Sequence, residues 1–262
     1  MKNTAVVIPT VGPPFNRSWI EAMSSFIPII VVFDGDALVS IDGVTTLVSP
    51  QKGFAGAVNI GIRHAQLAGY TNVLVLNDDA IPNEGCIEGM ISSYESTGGL
   101  LSPIIVEPKH TIWGYRRSKW GRFHPVNDPN DAVFVPAVCL LMPSWSRFDE
   151  GYVHGFEDFE LCRRFRQMGL AIRIDPMLNC FHRGGGTLSR RSDRAQYGSS
   201  YGQLRFEGLR WSAMVIALQL AQVCREGAHI GRFKAVGQAV FDFYCERAMA
   251  IASPRAGSSR TR

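Results

Sequence analysis

Short runs of aliphatic residues, each ended by polar residues or by proline, recur along the first two thirds of the chain. Runs this short and rich in β-branched residues predict strands that are buried on both faces, as in open α/β folds. Strands are predicted at 4–8, 27–33, 45–48, 73–76, 100–106, 132–142, 171–174 and 178–181. The intervening helices are predicted at 16–23, after the glycines at 53 and 56, at 84–95, and up to Met168.

The run at 73–76 is special because three polar residues follow it at once: Asn77, Asp78 and Asp79. A strand of this kind ends at the carboxyl edge of its sheet, where open α/β folds bind ligands. Two adjacent carboxylates there are destabilising unless a cation or hydrogen-bond donors compensate them. One interpretation is a divalent metal beside a phosphate, since Mg²⁺ and Mn²⁺ favour oxygen ligands. The other is that these residues close a turn and cap the next helix, and this segment alone does not separate the two.

Other polar or flexible residues follow neighbouring strands. Asp34 and Asp36 come after the second strand and suggest one shared ligand crevice, although Asp36 fits a plain Asp-Gly turn better. Gly53 and Gly56 lie at a helix start, where glycine allows the backbone to approach a ligand closely. Close packing of the helix on the sheet explains these glycines nearly as well. The inward stripe of this helix is predicted to be Val58, Ile62 and Ala65, with Asn59 at its edge.

A later helix, ended by Gly169, begins near two adjacent acids, Glu157 and Asp158. Asp158 shares a face with the apolar residues of that helix, which are Leu161, Cys162, Phe165 and Met168. Glu160 is expected on the polar side. Capping and the helix dipole would suit either acid at the start. An unpaired carboxylate on an apolar face would be destabilising, so a functional role for Asp158 is the stronger interpretation.

His182 follows the last predicted strand and precedes a run of glycines. A lone histidine is usually structural. Here the glycines and the arginines after them, Arg190, Arg191 and Arg194, are typical of a hinged lid that carries cations.

The segment 109–130 is long, aromatic and basic, with Trp113, Tyr115 and Trp120 among its residues. Long irregular segments in compact domains are usually functional or disordered, and this one has too many aromatic residues for disorder. It is predicted to contact a sugar or a peptide. The alternative is a surface hairpin with a small core of its own.

Beyond residue 190 the pattern becomes helical, with helices predicted at 204–224 and 230–249. The second helix is predicted to bury a stripe of Ile230, Phe233, Gly237, Val240, Phe241 and Tyr244. These helices are expected to pack on the first domain, to dimerise, or to lie on a membrane surface. The predicted organisation is a domain at 1–190, a helical extension at 191–252 and a disordered tail at 253–262.

Composition narrows the class of protein. The 262 residues carry a net charge of +4, and 22 of the 27 basic residues are Arg, which suits bidentate phosphate recognition. The excess is too small to indicate a nucleic-acid surface. The six cysteines form no C-x-x-C pair, which favours reduced thiols in a cytoplasmic protein over a zinc site. No signal peptide and no membrane-spanning run are found in the sequence, so a cytoplasmic location is expected, with peripheral contact at the inner face of a membrane as an addition.

Taken together, these segments resemble a family 2 glycosyltransferase of the GT-A fold, nearest the rhamnosyltransferase-like branch. The resemblance covers roughly residues 4–190 and is carried by Ala5-Val6-Val7-Ile8-Pro9-Thr10, Gly53-Phe54-Ala55-Gly56-Ala57-Val58-Asn59, Leu76-Asn77-Asp78-Asp79, Phe148-Asp149-Glu150, Phe156-Glu157-Asp158 through Leu161-Cys162-Arg163-Arg164, and His182 with Gly184-Gly185. Each motif is weak alone, but their order and spacing together are specific. The chain departs from the pattern at Asn77, where many relatives have Asp, and at Asp34-Gly35-Asp36.

The resemblance implies a GT-A fold, that is, a Rossmann-like mixed sheet flanked by helices, with the helical extension outside the shared core. It also implies an inverting hexosyltransferase that uses a nucleotide-sugar donor, UDP- or dTDP-linked, with Mn²⁺ or Mg²⁺. Asp79 and His182 would bind the metal, Asp158 would act as general base and Glu157 would orient the acceptor. The remaining implied donor-binding residues are Pro9, Thr10, Asp34, Gly53, Gly56, Asn59, Asn77, Asp78, Arg190 and Arg191.

Two other classes remain as alternatives. A sugar-phosphate nucleotidyltransferase shares a nucleotide-binding α/β half and paired acids, and would release pyrophosphate rather than a nucleoside diphosphate. An inactive relative would bind a nucleotide sugar without turnover. The expected acceptor is a glycan, a lipid-linked glycan or a protein. A homodimer through the C-terminal helices is a further expectation, and no nucleic acid is expected as partner.

Overall fold

The computed structural model describes residues 3–35, 39–50, 53–95, 98–118, 122–152, 155–184, 193–227 and 230–252. The chain divides into two compact units, Met1–Thr187 and Leu188–Arg262. The first unit is a mixed sheet flanked by helices and the second is helical, so the predicted α/β class with a helical C-terminal extension is confirmed.

The strands of the first unit are β1 (Thr4–Thr10), β2 (Ile29–Asp34), β3 (Thr45–Ser49), β4 (Asn72–Leu76), β5 (Ala80–Pro82), β6 (Leu100–Glu107), β7 (His110–Ile112), β8 (Tyr115–Arg117), β9 (Phe123–Pro125), β10 (Cys139–Pro143) and β11 (Ile172–His182). The main sheet has the order β3-β2-β1-β4-β10-β6-β11-β5, and β7 pairs with β6. Strands β3, β2, β1 and β4 are parallel, whereas β10 runs antiparallel between β4 and β6. The separate pair β8–β9 is an antiparallel hairpin.

The helices of this unit are α1 (Arg17–Met23), α2 (Gly53–Leu67), α3 (Cys86–Glu95) and α4 (Glu157–Gln167). Helix α2 buries Val58, Ile62 and Ala65, as its periodicity predicts. It lies close to the sheet at Gly61, where an added Cβ would collide with the Val7 side chain. Close helix–sheet packing therefore requires glycine at that position.

Two strand predictions are wrong in extent. The strand predicted at 132–142 begins only at Cys139, because Phe134 exchanges backbone hydrogen bonds with Tyr115 of the hairpin instead of joining the main sheet. The strands predicted at 171–174 and 178–181 are one strand, β11, whose pairing with β6 shifts register between Asp175 and Asn179. A bulge of this kind turns the strand without ending it.

The second unit comprises α5 (Asp193–Glu207), α6 (Ser212–Arg225) and α7 (Ile230–Ala252). The segment predicted as one helix at 204–224 belongs to two helices. Gly208 adopts φ 74°, a left-handed conformation that ends α5 before α6 begins. The core of this unit is formed by Tyr201, Leu204, Val215, Ala239 and Phe243.

The stripe predicted on the last helix is buried only in part, since Val240 packs against this core but other members of the stripe are exposed. Phe241 and Ile230 are 64% and 72% exposed, whereas Arg232, Val236 and Phe243 are buried. Among the described residues, no helix is both long enough and apolar enough to cross a membrane.

Candidate active site

The polar end of β4 is held in one conformation by backbone hydrogen bonds. The Asn77 amide donates to the Val138 carbonyl at 2.9 Å, and the Ala80 amide donates back to the Asn77 carbonyl at 3.1 Å. The resulting turn carries Asp78 and Asp79 at the edge of the sheet, with Asp79 only 7% exposed. A nearly buried carboxylate needs compensating partners.

Residues of the β1–α1 loop supply part of that compensation. The Thr10 hydroxyl at the end of β1 lies 2.7 Å from Asp78 Oδ2 and donates to it. The Asn16 side-chain amide donates to the carbonyls of Asn77 (3.1 Å) and Ala80 (2.8 Å), so it clamps the turn from both sides. The sequence gives no sign of the role of Asn16, because a single asparagine before a helix is ordinary.

His182 joins this cluster through strand pairing. It lies opposite Ala80 in the β5–β11 ladder, and the Arg183 amide donates to the Asp79 carbonyl at 3.0 Å. His182 Nε2 consequently lies 3.1 Å from Asp79 Oδ1. Two residues separated by about a hundred positions in sequence therefore meet, as the resemblance implies.

The electrostatics of the cluster follow from these contacts. Burial opposes the charged form of His182, but hydrogen bonds and charge interactions with Asp79 and Glu107 outweigh it and raise the pKa of the imidazole. Burial also raises the pKa of Asp78, and the Thr10 hydrogen bond partly offsets that rise. The cluster thus pairs acids with a cation-forming group.

The Asp79–His182 pair fits a divalent cation. Two adjacent ligands of an octahedral ion with bonds of about 2.1 Å lie about 3 Å apart, close to the separation of these donor atoms. Within the part of the chain that is described, no group of three or more His, Cys, Asp or Glu side chains is arranged to hold a metal. Mg²⁺ often takes one or two carboxylates and keeps several waters, so Asp79 alone would suffice for that ion and the imidazole would add a second donor.

Glu157 and Asp158 open α4 and differ sharply from the first cluster. The residue before them, Phe156, has φ 72°, a left-handed conformation that is strained for a phenylalanine. Asp158 Oδ1 accepts a hydrogen bond from the Phe159 amide at 2.8 Å, and burial raises the pKa of Asp158 to about 6. Burial and the neighbouring Asp158 raise the pKa of Glu157 to about 8, and Glu157 Oε2 is buried without a hydrogen-bond partner among the described residues.

The second pair lies at the same edge of the sheet as the first cluster. The Ala137 backbone amide hydrogen-bonds to Asp158, and the carbonyl of the next residue, Val138, accepts from the Asn77 amide. The backbone of Ala137 and Val138 therefore links the start of α4 to the end of β4. Asp158 does share a face with the buried Leu161, Cys162 and Phe165, as predicted.

Two details of the α4 prediction are wrong. Glu160 is buried, at 6% exposure, and accepts from Arg164 Nε at 2.8 Å, although the helical pattern places it on the polar side. Met168 is 51% exposed, although the same pattern places it on the buried face. An ion pair within one helix turn can bury a glutamate that periodicity assigns to solvent.

Other residues implied as donor-binding are engaged within the protein. Asp34 accepts hydrogen bonds from the Ser49 hydroxyl (2.8 Å) and the Gly53 amide (2.9 Å), so it holds the start of α2. The Asn59 side chain donates to the Phe148 carbonyl and to Glu150 Oε1, and accepts from the Phe148 amide. Both amide hydrogens of Asn59 are thus used internally. Pro9 is buried in β1 and Gly56 in α2, while Arg190, Arg191 and Asp36 lie outside the described residues.

The aromatic segment forms a hairpin that packs beside the second pair. Phe123 of β9 stacks on Phe159 of α4 with ring centroids 4.4 Å apart, and Phe134 and Phe156 contact the same rings. The alternative of a hairpin with its own small core is therefore close to what is observed, except that α4 contributes to that core. Trp120 lies outside the described residues.

Arg183 adds a cation that the sequence did not single out. Its guanidinium lies over the ring of Phe15, 4.7 Å from the centroid, and both side chains are exposed. The backbone amide of Arg183 donates to the Asp79 carbonyl, so this cation follows the Asp79–His182 pair directly in the chain.

No protein-family model and no curated protein matches the chain. Among solved structures, HddC from Yersinia pseudotuberculosis is similar over 69% of this chain and 93% of that one, with 12% identity and a TM-score of 0.45. A197 from STIV aligns over 69% and 85%, with 9% identity and a TM-score of 0.45. A protein from Desulfovibrio desulfuricans G20, provisionally named a nucleotide-diphospho-sugar transferase, aligns over 82% and 97%, with 11% identity and a TM-score of 0.41. Similarity at this level leaves function to be argued from the residues.

Proposed function

We propose that this protein transfers a sugar from a nucleotide diphosphate sugar to an acceptor hydroxyl, with inversion at the anomeric carbon. The observation that supports this most directly is the pair of unlike acidic clusters at one sheet edge, one built around Asp79 and His182 and the other around Asp158. Glycosyl transfer needs both: a site that neutralises the departing diphosphate, and a base that activates the acceptor.

Asp79 and His182 are the residues that would hold Mn²⁺ or Mg²⁺. When bound there, the ion supplies positive charge for the leaving diphosphate. Thr10 and Asn16 fix the turn that presents Asp79, so the site is organised before the donor arrives. Arg183 extends the same positive region and is proposed to contact the diphosphate; the predicted contribution of Arg190 and Arg191 remains a prediction.

Asp158 is proposed as the general base. With a pKa of about 6 it is largely ionised at neutral pH, yet basic enough to take a proton from an acceptor hydroxyl as that hydroxyl attacks the anomeric carbon. Glu157, with a pKa of about 8, keeps its proton at the same pH and can donate a hydrogen bond to the acceptor. The two acids of α4 thus divide into a base and an orienting donor.

The donor is proposed to be UDP- or dTDP-linked and the acceptor a glycan, lipid-linked glycan or protein. Membership of family 2 and of its rhamnosyltransferase-like branch, dimerisation and peripheral membrane contact stay predictions.

The decisive experiment identifies the product. The protein is incubated with Mn²⁺ and UDP- or dTDP-sugars, first selected by thermal shift because bound ligands raise stability. Release of nucleoside diphosphate, together with inverted anomeric configuration in the glycoside or free sugar, is the expected result. Formation of pyrophosphate from a nucleoside triphosphate and a sugar 1-phosphate would instead identify a nucleotidyltransferase. Binding without any product would identify an inactive relative.

A further inference from the structure

A buried glutamate lies behind the proposed metal ligand. Glu107, at the end of β6, is 8% exposed, and its Oε1 lies 3.0 Å from His182 Nδ1. The residues are 75 positions apart and meet because β6 pairs in parallel with β11. The proposed reaction assigns no role to Glu107.

The contact bears on which nitrogen of the imidazole carries a proton. A neutral imidazole has one N–H donor and one lone pair, and an ionised carboxylate can only accept. In the structure both ring nitrogens face carboxylates, Nδ1 toward Glu107 and Nε2 toward Asp79, and each contact calls for an N–H. A cation held beside Asp79 would take the place of the Nε2 proton, while the contact with Glu107 would keep the N–H on Nδ1. A ligating histidine commonly takes this form, with the second nitrogen bound to a carboxylate.

The carboxylate of Glu107 is itself held. Its Oε2 lies 3.2 Å from His110 Nε2, and Glu107 pairs with His110 in the β6–β7 ladder. Both oxygens of Glu107 are therefore directed by named partners, and His182 is fixed from behind by a rigid strand pair rather than by a loop.

Resting on the metal-dependent function proposed above, we infer that Glu107 is a positioning residue that fixes the ring orientation of His182 and keeps the proton on Nδ1, so that Nε2 is available to the metal beside Asp79. Glu107 itself contacts neither the metal nor the donor. Its effect is transmitted through the imidazole.

The test compares two matched substitutions in the full-length protein. Glu107→Gln removes the charge, and its amide can turn to donate to Nδ1. Glu160→Gln is the control, because Glu160 is equally buried and equally hydrogen-bonded but pairs with Arg164. Mn²⁺ alone is titrated and the free ion is measured by electron paramagnetic resonance, with His182→Ala as the reference for loss of the ligand.

Glu107→Gln should weaken Mn²⁺ binding by about 10- to 100-fold, the usual effect of losing an outer carboxylate, while Glu160→Gln stays within about threefold of the unaltered protein. If His182→Ala weakens binding and Glu107→Gln behaves like the control, the role of Glu107 is refuted and the metal site stands. If His182→Ala has no effect either, the metal site and the inference both fail.

A second measurement covers the case in which Glu107→Gln does not fold. The ring nitrogens of His182 are observed by ¹⁵N NMR in the unaltered protein saturated with Mg²⁺. A protonated Nδ1 and an unprotonated Nε2 are expected. The opposite assignment overturns the inference regardless of how any variant behaves.

Discussion

The two acidic clusters at the sheet edge contain the same kinds of side chain in opposite surroundings. Asp78 accepts a hydrogen bond from the Thr10 hydroxyl, and Asp79 lies against the His182 imidazole, which can carry a positive charge. The negative charge of this cluster is therefore matched by a hydrogen-bond donor and by a cationic partner. Glu157 and Asp158 have backbone amides as their described donors, and one oxygen of Glu157 has no partner among the described residues.

The surroundings of an acidic side chain, rather than its residue type, therefore determine its role in the proposed reaction. Burial raises the pKa of Asp78 as well, so the contrast lies between Asp79 and the acids of α4. Asp79 is paired with an imidazole and is suited to hold a cation, whereas Glu157 and Asp158 are buried without a countercharge, retain their protons to higher pH and are suited to proton transfer. The comparison is testable by substituting an acid in each cluster and separating binding from turnover.

The largest effect is expected at Asp158. Asp158→Asn keeps the oxygen that accepts from the Phe159 amide but cannot take a proton, so turnover should fall by about 10²- to 10⁴-fold with UDP affinity unchanged. Steady-state kinetics and calorimetry measure the two quantities. In the unaltered protein, kcat/KM should decline as pH falls below a pKa of about 6, because Asp158 then holds a proton and cannot act as base.

Glu160→Gln is the control for Asp158→Asn, since it makes the same change of carboxylate to amide within one turn of the same helix and should retain turnover. Near-normal turnover in Asp158→Asn would remove Asp158 from the role of base.

The matched change in the first cluster should affect binding instead. Asp79→Asn removes the charge opposite His182, so Mn²⁺-dependent UDP binding should weaken by about 100-fold or more, because losing a ligand costs at least as much as losing an outer partner. Calorimetry with and without Mn²⁺ measures it. If Asp79→Asn and the unaltered protein bind UDP equally well in Mn²⁺, the ion binds elsewhere. The two clusters would then not differ in the way proposed.

A smaller effect on UDP affinity is expected at Arg183, the exposed arginine that follows His182. Arg183→Gln removes a charge-assisted contact worth about 1.5 kcal/mol, so UDP affinity should fall by about 10-fold. Affinity for uridine, which lacks phosphate, should not change. Arg17→Gln, an exposed arginine paired with Glu21 on α1, is the control. An equal loss for uridine and UDP would show that Arg183 supports the loop rather than the diphosphate.

The sequence predicts those parts of the fold that local pattern determines. The runs at 4–8 and 73–76 are buried strands, as short runs rich in β-branched residues predict, and the acids after the second run lie at the sheet edge because parallel strands end together. The meeting of Asp79 and His182 is implied by the resemblance and then realised by the β5–β11 pairing.

Long-range partners and polar helix faces cannot be read from such patterns. Glu107 and Asn16 act through strand and loop contacts 60 or more positions away, and nothing near either residue in sequence signals them. Helix α5 packs through polar as well as apolar residues, since Gln196 donates a hydrogen bond to Gln219 of the next helix. The buried face of α7 also includes Arg232, whose guanidinium donates to Gln196 Oε1, so hydrophobicity alone predicts this face only in part.

The smallest effect concerns stability and distinguishes the second cluster from the first without any substrate. The unfolded chain loses the Glu157 proton near pH 4.5, while the folded protein keeps it to about pH 8. Between those values the folded state binds more protons, so the contribution of Glu157 to the free energy of unfolding falls as pH rises. Glu157→Gln has no proton to lose at this position, so it lacks this pH-dependent decrease in stability. The free energy of unfolding of Glu157→Gln relative to the unaltered protein should therefore rise by more than about 1 kcal/mol between pH 5 and pH 9, since one pKa unit corresponds to about 1.4 kcal/mol.

Urea denaturation at both pH values measures this difference, and Glu88→Gln, which replaces an exposed glutamate in the first turn of α3, should show none. Parallel pH profiles for Glu157→Gln and the unaltered protein would mean that Glu157 finds a countercharge after all, and that the two clusters are electrostatically alike.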